Sequence, residues 1–167
     1  NALAATCIGV HFGMSFSEID SGIRKLKAIK GRNNIFNVNN ITVIDDCYNA
    51  NPMSMKASLN VLSEADGRKV AILGNMYELG DNEAELHRQV GEEAARLKID
   101  EVICIGDLAQ NIADAAKNGC NMVYYFNNKQ DFESDISEYI KPGDTVLIKA
   151  SNGMKFTTIV NLIKETF

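Results

Sequence analysis

ITVIDDCYNANPMSMK (residues 41–56) is the stretch on which the fold turns. Ile41, Val43 and Ile44 favour extended backbone, whereas Pro52 cannot occupy a central strand and suits the first turn of a helix. The stretch therefore predicts a strand end, a polar loop and a helix start. In open α/β sheets ligands bind at that corner, where loops leaving the carboxyl ends of strands meet helix N-termini. A solvated turn that uses Asp and Asn only for local hydrogen bonding fits the same spacing.

Downstream the pattern is regular. Met55, Leu59 and Leu62 mark a helix from about Pro52, followed by a strand at KVAILG (residues 69–74). His87, Val90, Ala94 and Leu97 mark a helix, EVICIG (101–106) a strand, and Leu108, Ile112 and Ala115 a helix. NMVYYF (121–126) is a strand, and Phe132, Ile136 and Ile140 share one helix. DTVLIKAS (144–151) is the last strand, before a helix carrying Phe156, Ile159, Val160 and Ile163. Strands apolar on both faces that alternate with helices predict a Rossmann-like α/β fold, a mostly parallel sheet covered on both sides. Strand ends at Gly74-Asn75, Gly106-Asp107 and Ala150-Ser151-Asn152 should meet Asp45-Asp46 at one edge.

Upstream, two short β segments (35–38 and 41–45) are joined by Asn39-Asn40, residues that tolerate the positive φ angles of a tight hairpin. Residues 2–12 predict an Ala-rich helix packed through small side chains and ended near His11 and Gly13. Residues 17–26 predict a second helix, capped by Ser17, with Ile19, Ile23 and Leu26 on one face. Its cations Arg24, Lys25, Lys27 and Lys30 gather near the C-terminal end, where the helix dipole favours them. We divide the chain into a helical piece at residues 1–30 and a domain at residues 31–167, with Gly31 at the linker. NALAATCIGV lacks a basic leader region and starts like a helix entered partway along, which suggests a boundary within a longer protein.

With 167 residues, 46% of them hydrophobic, the chain can bury a core. Its net charge is -5 with scattered cations, which argues against a nucleic-acid partner. Four cysteines without a CxxC pair indicate neither a zinc site nor a disulfide scaffold and suit the reducing cytoplasm. Cys104, inside an apolar run, is expected as a buried thiol. No run approaches the roughly 18 apolar residues of a membrane span.

Four clusters carry candidate chemistry. Asp45 and Asp46 point to opposite faces if the strand persists, so one of them at most meets a given ligand. A carboxylate accepting sugar hydroxyls fits them better than a metal, for which a third ligand is lacking. Gly31-Arg32 offers a guanidinium able to fork onto phosphate oxygens, or merely a surface Arg. In residues 74–87 Glu78 follows a strand end, Asp81 or Asn82 would cap the next helix, and His87 suits a core histidine with one satisfied nitrogen. Lys149 ends an otherwise apolar strand, which implies emergence into a site or to solvent, with Ser151 and Asn152 immediately after it. The sequence contains neither GxxxxGK[ST] nor GxGxxG, and no Ser-His-Asp or Cys-His arrangement. Alone it looks like half of a site.

VIDDCYNANPMSMKASLNVL, VAILGNMYELGDNEAELHRQVG and GDTVLIKASNGMK, in that order, resemble the C-terminal domain of the Mur ligases. The branch that adds D-alanyl-D-alanine (D-Ala-D-Ala) to UDP-N-acetylmuramoyl-tripeptide (UDP-muramoyl-tripeptide) is the most similar, and DDCYNANP is the most diagnostic run. The resemblance implies ATP-dependent amide formation through an acyl phosphate, with Mg2+ held mainly by a central domain outside this chain. It implies that Asn1 contacts adenine, Arg32 lies near the phosphates and Asp46 holds the ribose, with Tyr48, Asn49 and Asn51 lining the same cleft. Lys149, Ser151, Asn75 and Glu78 would face the dipeptide. Asn75 and Asn152 stand where this branch more often has Asp and Arg. The phosphate loop, magnesium ligands and modified lysine of the central domain are not in the sequence, so no catalytic residue and no metal site is expected here and the isolated chain should be inactive. A polyglutamate-forming ligase and a non-catalytic nucleotide- or amino-acid-binding module are the alternatives.

Overall fold

Along the central strands every second side chain enters one of two cores, and this alternation fixes the architecture. In the computed structural model, which describes residues 2–25 and 31–167, six strands form one sheet flanked by helices. The strands are β1 (Asn34–Val38), β2 (Ile41–Asp45), β3 (Arg68–Gly74), β4 (Glu101–Ile105), β5 (Met122–Phe126) and β6 (Asp144–Lys149). Their order in the sheet is β1-β2-β6-β3-β4-β5. Only β1 runs antiparallel, so the other five strands end at a common edge. The chain returns from that edge through α3 (Pro52–Ser63), α4 (Glu83–Arg96) and α5 (Gln110–Ala116) on one face. On the other lie α6 (Lys129–Glu133), α7 (Ile136–Tyr139) and α8 (Thr157–Thr166).

Ile44, Ala71, Leu73, Val102, Cys104 and Leu147 pack against α3, α4 and α5. Ile41, Val43, Val70, Ile72, Ile103, Ile105, Val146 and Ile148 pack against α6, α7 and α8. At about 25 cal/mol per Å² of apolar surface removed from water, these two layers are the main stabilising contribution. Cys104 is buried as expected, and burial raises its thiol pKa. The hairpin also forms as expected: Asn39 and Asn40 take φ of 41° and 67°, and Val38 pairs with Ile41.

Ahead of the sheet, α1 (Ala2–His11) and α2 (Phe16–Arg24) pack through Gly9, where a Cβ would lie 2.8 Å from the Ile19 side chain. The small residue is what lets the helices approach.

Several local expectations are corrected. Ser15, not Ser17, caps α2, because Glu18 stands three residues on and completes a reciprocal capping box. The expected end of that helix, with Leu26, Lys27 and Lys30, lies outside the described residues. Neither Asp81 nor Asn82 caps α4 with its side chain; the chain enters through a single 3-10 turn at Gly80–Asn82. The helix expected through Phe132, Ile136 and Ile140 is split into α6 and α7. The Ser134 hydroxyl bonds the Asp131 carbonyl and Asp135 leaves helical geometry, although Phe132, Ile136 and Ile140 stay buried. β5 is an edge strand with Met122 and Tyr125 exposed, so the two-sided burial expected of every strand fails there. β6 stops at Lys149, because Ser151 turns its N–H onto the Asn75 carbonyl at 3.0 Å.

Candidate functional site

At the end of β2 the strand alternation separates the two aspartates. Asp46 falls on the Ile44 face, towards α3, and Asp45 on the other. Asp45 is buried; its carboxylate accepts the Gly31 N–H at 3.2 Å and the Cys47 thiol at 2.9 Å. Burial, reinforced by Asp45, pushes the Cys47 thiol up to about 11, so it stays protonated and donates.

Asp46 extends the ladder to β6 by donating its N–H to the Ile148 carbonyl at 3.1 Å. Its Oδ1 accepts the Asn33 N–H at 3.0 Å, and its Oδ2 accepts the Ser58 hydroxyl at 2.7 Å and the Lys149 ammonium. A carboxylate offers about four lone-pair sites, so one on Oδ1 remains for a ligand. Lys149 is buried, and its Nζ also reaches the Asn49 carbonyl at 3.1 Å and the Asp46 carbonyl at 3.4 Å.

The two aspartates thus hold both ends of residues 31–33 and display Arg32 between them. Its guanidinium lies 4.0 Å from the centroid of the exposed Tyr48 ring. The Tyr48 N–H bonds the Gly31 carbonyl at 2.8 Å, and Gly31 sits at φ 77°. That φ disfavours any side chain, and a Cβ there would also lie a tight 3.2 Å from the Tyr48 nitrogen, so glycine suits the position. Asn51 caps α3 by accepting the Ser54 N–H at 2.8 Å, with Pro52 next, while the Asn49 side chain bonds the Ala50 N–H at 2.9 Å. Arg32, Asp46, Tyr48, Asn49, Asn51 and Lys149 share one open depression of about 450 Å³.

A second group lies at the ends of β3, β4 and β6. Asn75 is buried and bridges two loops, donating to Asp107 at 2.6 Å and accepting the Ala109 N–H at 2.9 Å. Hydrogen bonds from Asn75 and then from the Leu108 N–H, at 2.9 Å, hold the Asp107 carboxyl below its ordinary range. The Ser151 hydroxyl accepts the Tyr77 N–H at 2.9 Å. His87 is buried and uses both nitrogens rather than the one expected. Nδ1 donates to the Glu83 carbonyl at 2.6 Å and Nε2 accepts the Met76 N–H at 2.8 Å. Burial lowers its pKa, which keeps it neutral in that tautomer. Asn75, His87 and Ser151 thereby fix the loop that exposes Glu78, whose backbone is left-handed at φ 64°.

The structure therefore gathers Arg32, Asp46, Tyr48, Asn49 and Asn51 as expected, and adds Lys149 to them rather than to Ser151. Asn75, Ser151 and Glu78 form a separate group, and Asn1 lies outside the described residues. Sequence reasoning missed Ser58 and the Asn33 amide. Ser58 was legible as a polar residue beside Met55, Leu59 and Leu62 on the buried face of α3. Among the described residues no three His, Cys, Asp or Glu side chains converge as a metal site.

Residues 31–152 match the model of the Mur ligase, glutamate ligase domain, so the chain belongs to the Mur ligase family. Within it, the UDP-N-acetylmuramoyl-tripeptide--D-alanyl-D-alanine ligase of Bacillus subtilis is 34% identical over 99% of this chain and 37% of its own length. A MurF crystal structure from Acinetobacter baumannii superposes with TM-score 0.84 at 30% identity, over 98% of this chain and 36% of that one. The MurF ligase of Thermotoga maritima, solved in complex with ADP, gives TM-score 0.80 at 25% identity over 95% and 36%. The chain thus spans little more than a third of the length of these relatives.

Proposed function

We propose that this chain is the C-terminal domain of an ATP-dependent ligase that joins D-Ala-D-Ala to UDP-muramoyl-tripeptide through an acyl phosphate. The observation that carries the reading is the 450 Å³ depression, which places a carboxylate acceptor, Asp46, beside a displayed guanidinium, Arg32. A nucleotide presents the complementary groups, ribose hydroxyls and phosphate oxygens. ATP supplies the phosphoryl group that activates the tripeptide carboxyl. Within this chain, Asp46 accepts from the ribose, Arg32 pairs with phosphate, and Tyr48, Asn49 and Asn51 shape the wall. Asn1 would meet the adenine.

The dipeptide falls to the second group, where the exposed carboxylate of Glu78 offers a partner to an ammonium. Asn75 and Ser151 support that loop with side chains already engaged in it. Residues 1–30 are the tail of the central ATPase domain, which holds Mg2+ and most of the cleft. In support, α1, α2 and the turn between them precede the matched residues 31–152 and expose Leu3, Phe12 and Phe16. UDP-linked substrates place the reaction in the cytoplasm. No described helix is long and apolar enough to cross a membrane.

The test is ATP-dependent phosphate release. The 167-residue chain alone releases none. A gene product joining it to the preceding domains releases phosphate only when UDP-muramoyl-tripeptide and D-Ala-D-Ala are both present. Turnover by the chain alone would overturn the assignment, and release driven by glutamate on a polyglutamate acceptor would redirect it.

A further inference from the structure

The cation nearest the proposed ribose acceptor is buried and already surrounded by protein oxygens. Lys149 is 2% exposed, and its Nζ meets Asp46 Oδ2, the Asp46 carbonyl and the Asn49 carbonyl. An ammonium has three donors and no acceptor, so these contacts use its capacity within the protein. The contacts are distributed over the site's frame. One fixes the carboxylate; two bind carbonyls at the start and in the middle of the turn leading from β2 to α3. Asp46 in turn holds Ser58 of α3 and the Asn33 amide beside Arg32.

We propose that Lys149 is a positioning residue for nucleotide binding: it orients Asp46 and the turn at residues 46–49, and touches neither nucleotide nor dipeptide. The inference rests on the nucleotide reading above for its functional consequence, but its structural part stands alone. With the ammonium removed, the carboxylate keeps only Ser58 and Asn33. It then rotates away from the arrangement that leaves one Oδ1 lone pair open. The Asn33 N–H loosens with it, so the effect extends to the linker bearing Arg32.

The test uses ADP as probe and amide chemical shifts of the isotope-labelled chain, which report even millimolar binding. Lys149→Met removes the charge at similar volume; Lys149→Gln serves in its place if the methionine variant does not fold. In wild type, ADP shifts the amides around Arg32, Asp46 and Tyr48. Lys149→Met and Asp46→Asn each weaken binding about tenfold, the scale of one charge-assisted hydrogen bond. The double variant binds no more weakly than Asp46→Asn, and Lys149→Arg recovers part of the loss. Additive losses would show that Lys149 meets the ligand directly and would overturn the proposal, as would unchanged affinity in Lys149→Met.

Hydrogen exchange separates this claim from the nucleotide reading. Lys149→Met accelerates exchange at the Asn33 amide but not at the Lys69 amide, which is held by Asp100. If ADP shifts no amide near Asp46 in wild type, the KM for ATP of Asp46→Asn is read in the gene product carrying the preceding domains, where an unchanged value refutes the nucleotide reading, while faster Asn33 exchange still supports the positioning role. Unchanged Asn33 exchange overturns it.

Discussion

Replacing His87 by leucine removes both ring nitrogens at roughly preserved volume. The Met76 N–H, buried with its residue, then loses its acceptor, which costs about 1–3 kcal/mol. The Glu83 carbonyl lies in the first turn of α4, where the backbone supplies a second donor, so its loss adds little. Imperfect shape adds no more than about 1.5 kcal/mol. A total near 2–3 kcal/mol corresponds to a fall in Tm of about 5–10 °C for a domain of this size. The pH dependence is a second signature. Burial depresses the folded-state pKa of His87, so below about pH 6.5 the unfolded state binds the proton first. Stability is therefore full above the unfolded pKa and declines as pH falls towards the folded one, by at most about 1.4 kcal/mol per pH unit. The leucine variant has no such decline. The raised pKa of Glu101, due mainly to burial, acts in the opposite sense in both proteins and cancels. Urea denaturation at pH 7.5 and 5.5 should show wild type ahead by about 2–3 kcal/mol at the higher pH and a smaller gap at the lower. A gap within about 0.5 kcal/mol at pH 7.5, or one that does not narrow, would refute the reasoning.

Gly91→Ala opposes helix propensity to packing. Propensity favours alanine by about 1 kcal/mol, yet a Cβ there would lie 2.2 Å from the Ile112 carbonyl oxygen of α5. Overpacking costs about 1–3 kcal/mol or more, so thermal unfolding should show net destabilisation, and a stabilised variant would contradict the α4–α5 contact. Asn51→Ala removes the cap of α3 and should cost about 1 kcal/mol in urea denaturation, whereas Asn51→Ser should retain most of it.

The sheet was legible because buried parallel strands leave long apolar runs, and the hairpin because Asn39-Asn40 allows positive φ. The edge strand β5 misled because its apolar residues are as β-prone as those of a central strand, and nothing local encodes the missing neighbour. The split after Glu133 accompanies a Ser134 side chain that bonds a local carbonyl, a competition with helix continuation that periodicity does not register. In the site, Asp46, Arg32 and Tyr48 stood out because charge or aromaticity at a strand end and linker is chemically conspicuous. The partners of Lys149 were hidden by topology. β6 is the last strand yet pairs beside β2, which brings residues 46 and 149 together across 103 positions.

The central claim, that the corner at residues 41–56 is the nucleotide-facing wall of a ligase, is tested most directly by Asp46→Ala in the gene product carrying the domain. The ATP dependence of phosphate release, measured with both substrates saturating, should show KM for ATP raised about tenfold or more, as expected for a lost hydrogen bond to a carboxylate. An unchanged KM for ATP would remove Asp46 from the nucleotide site and the account with it.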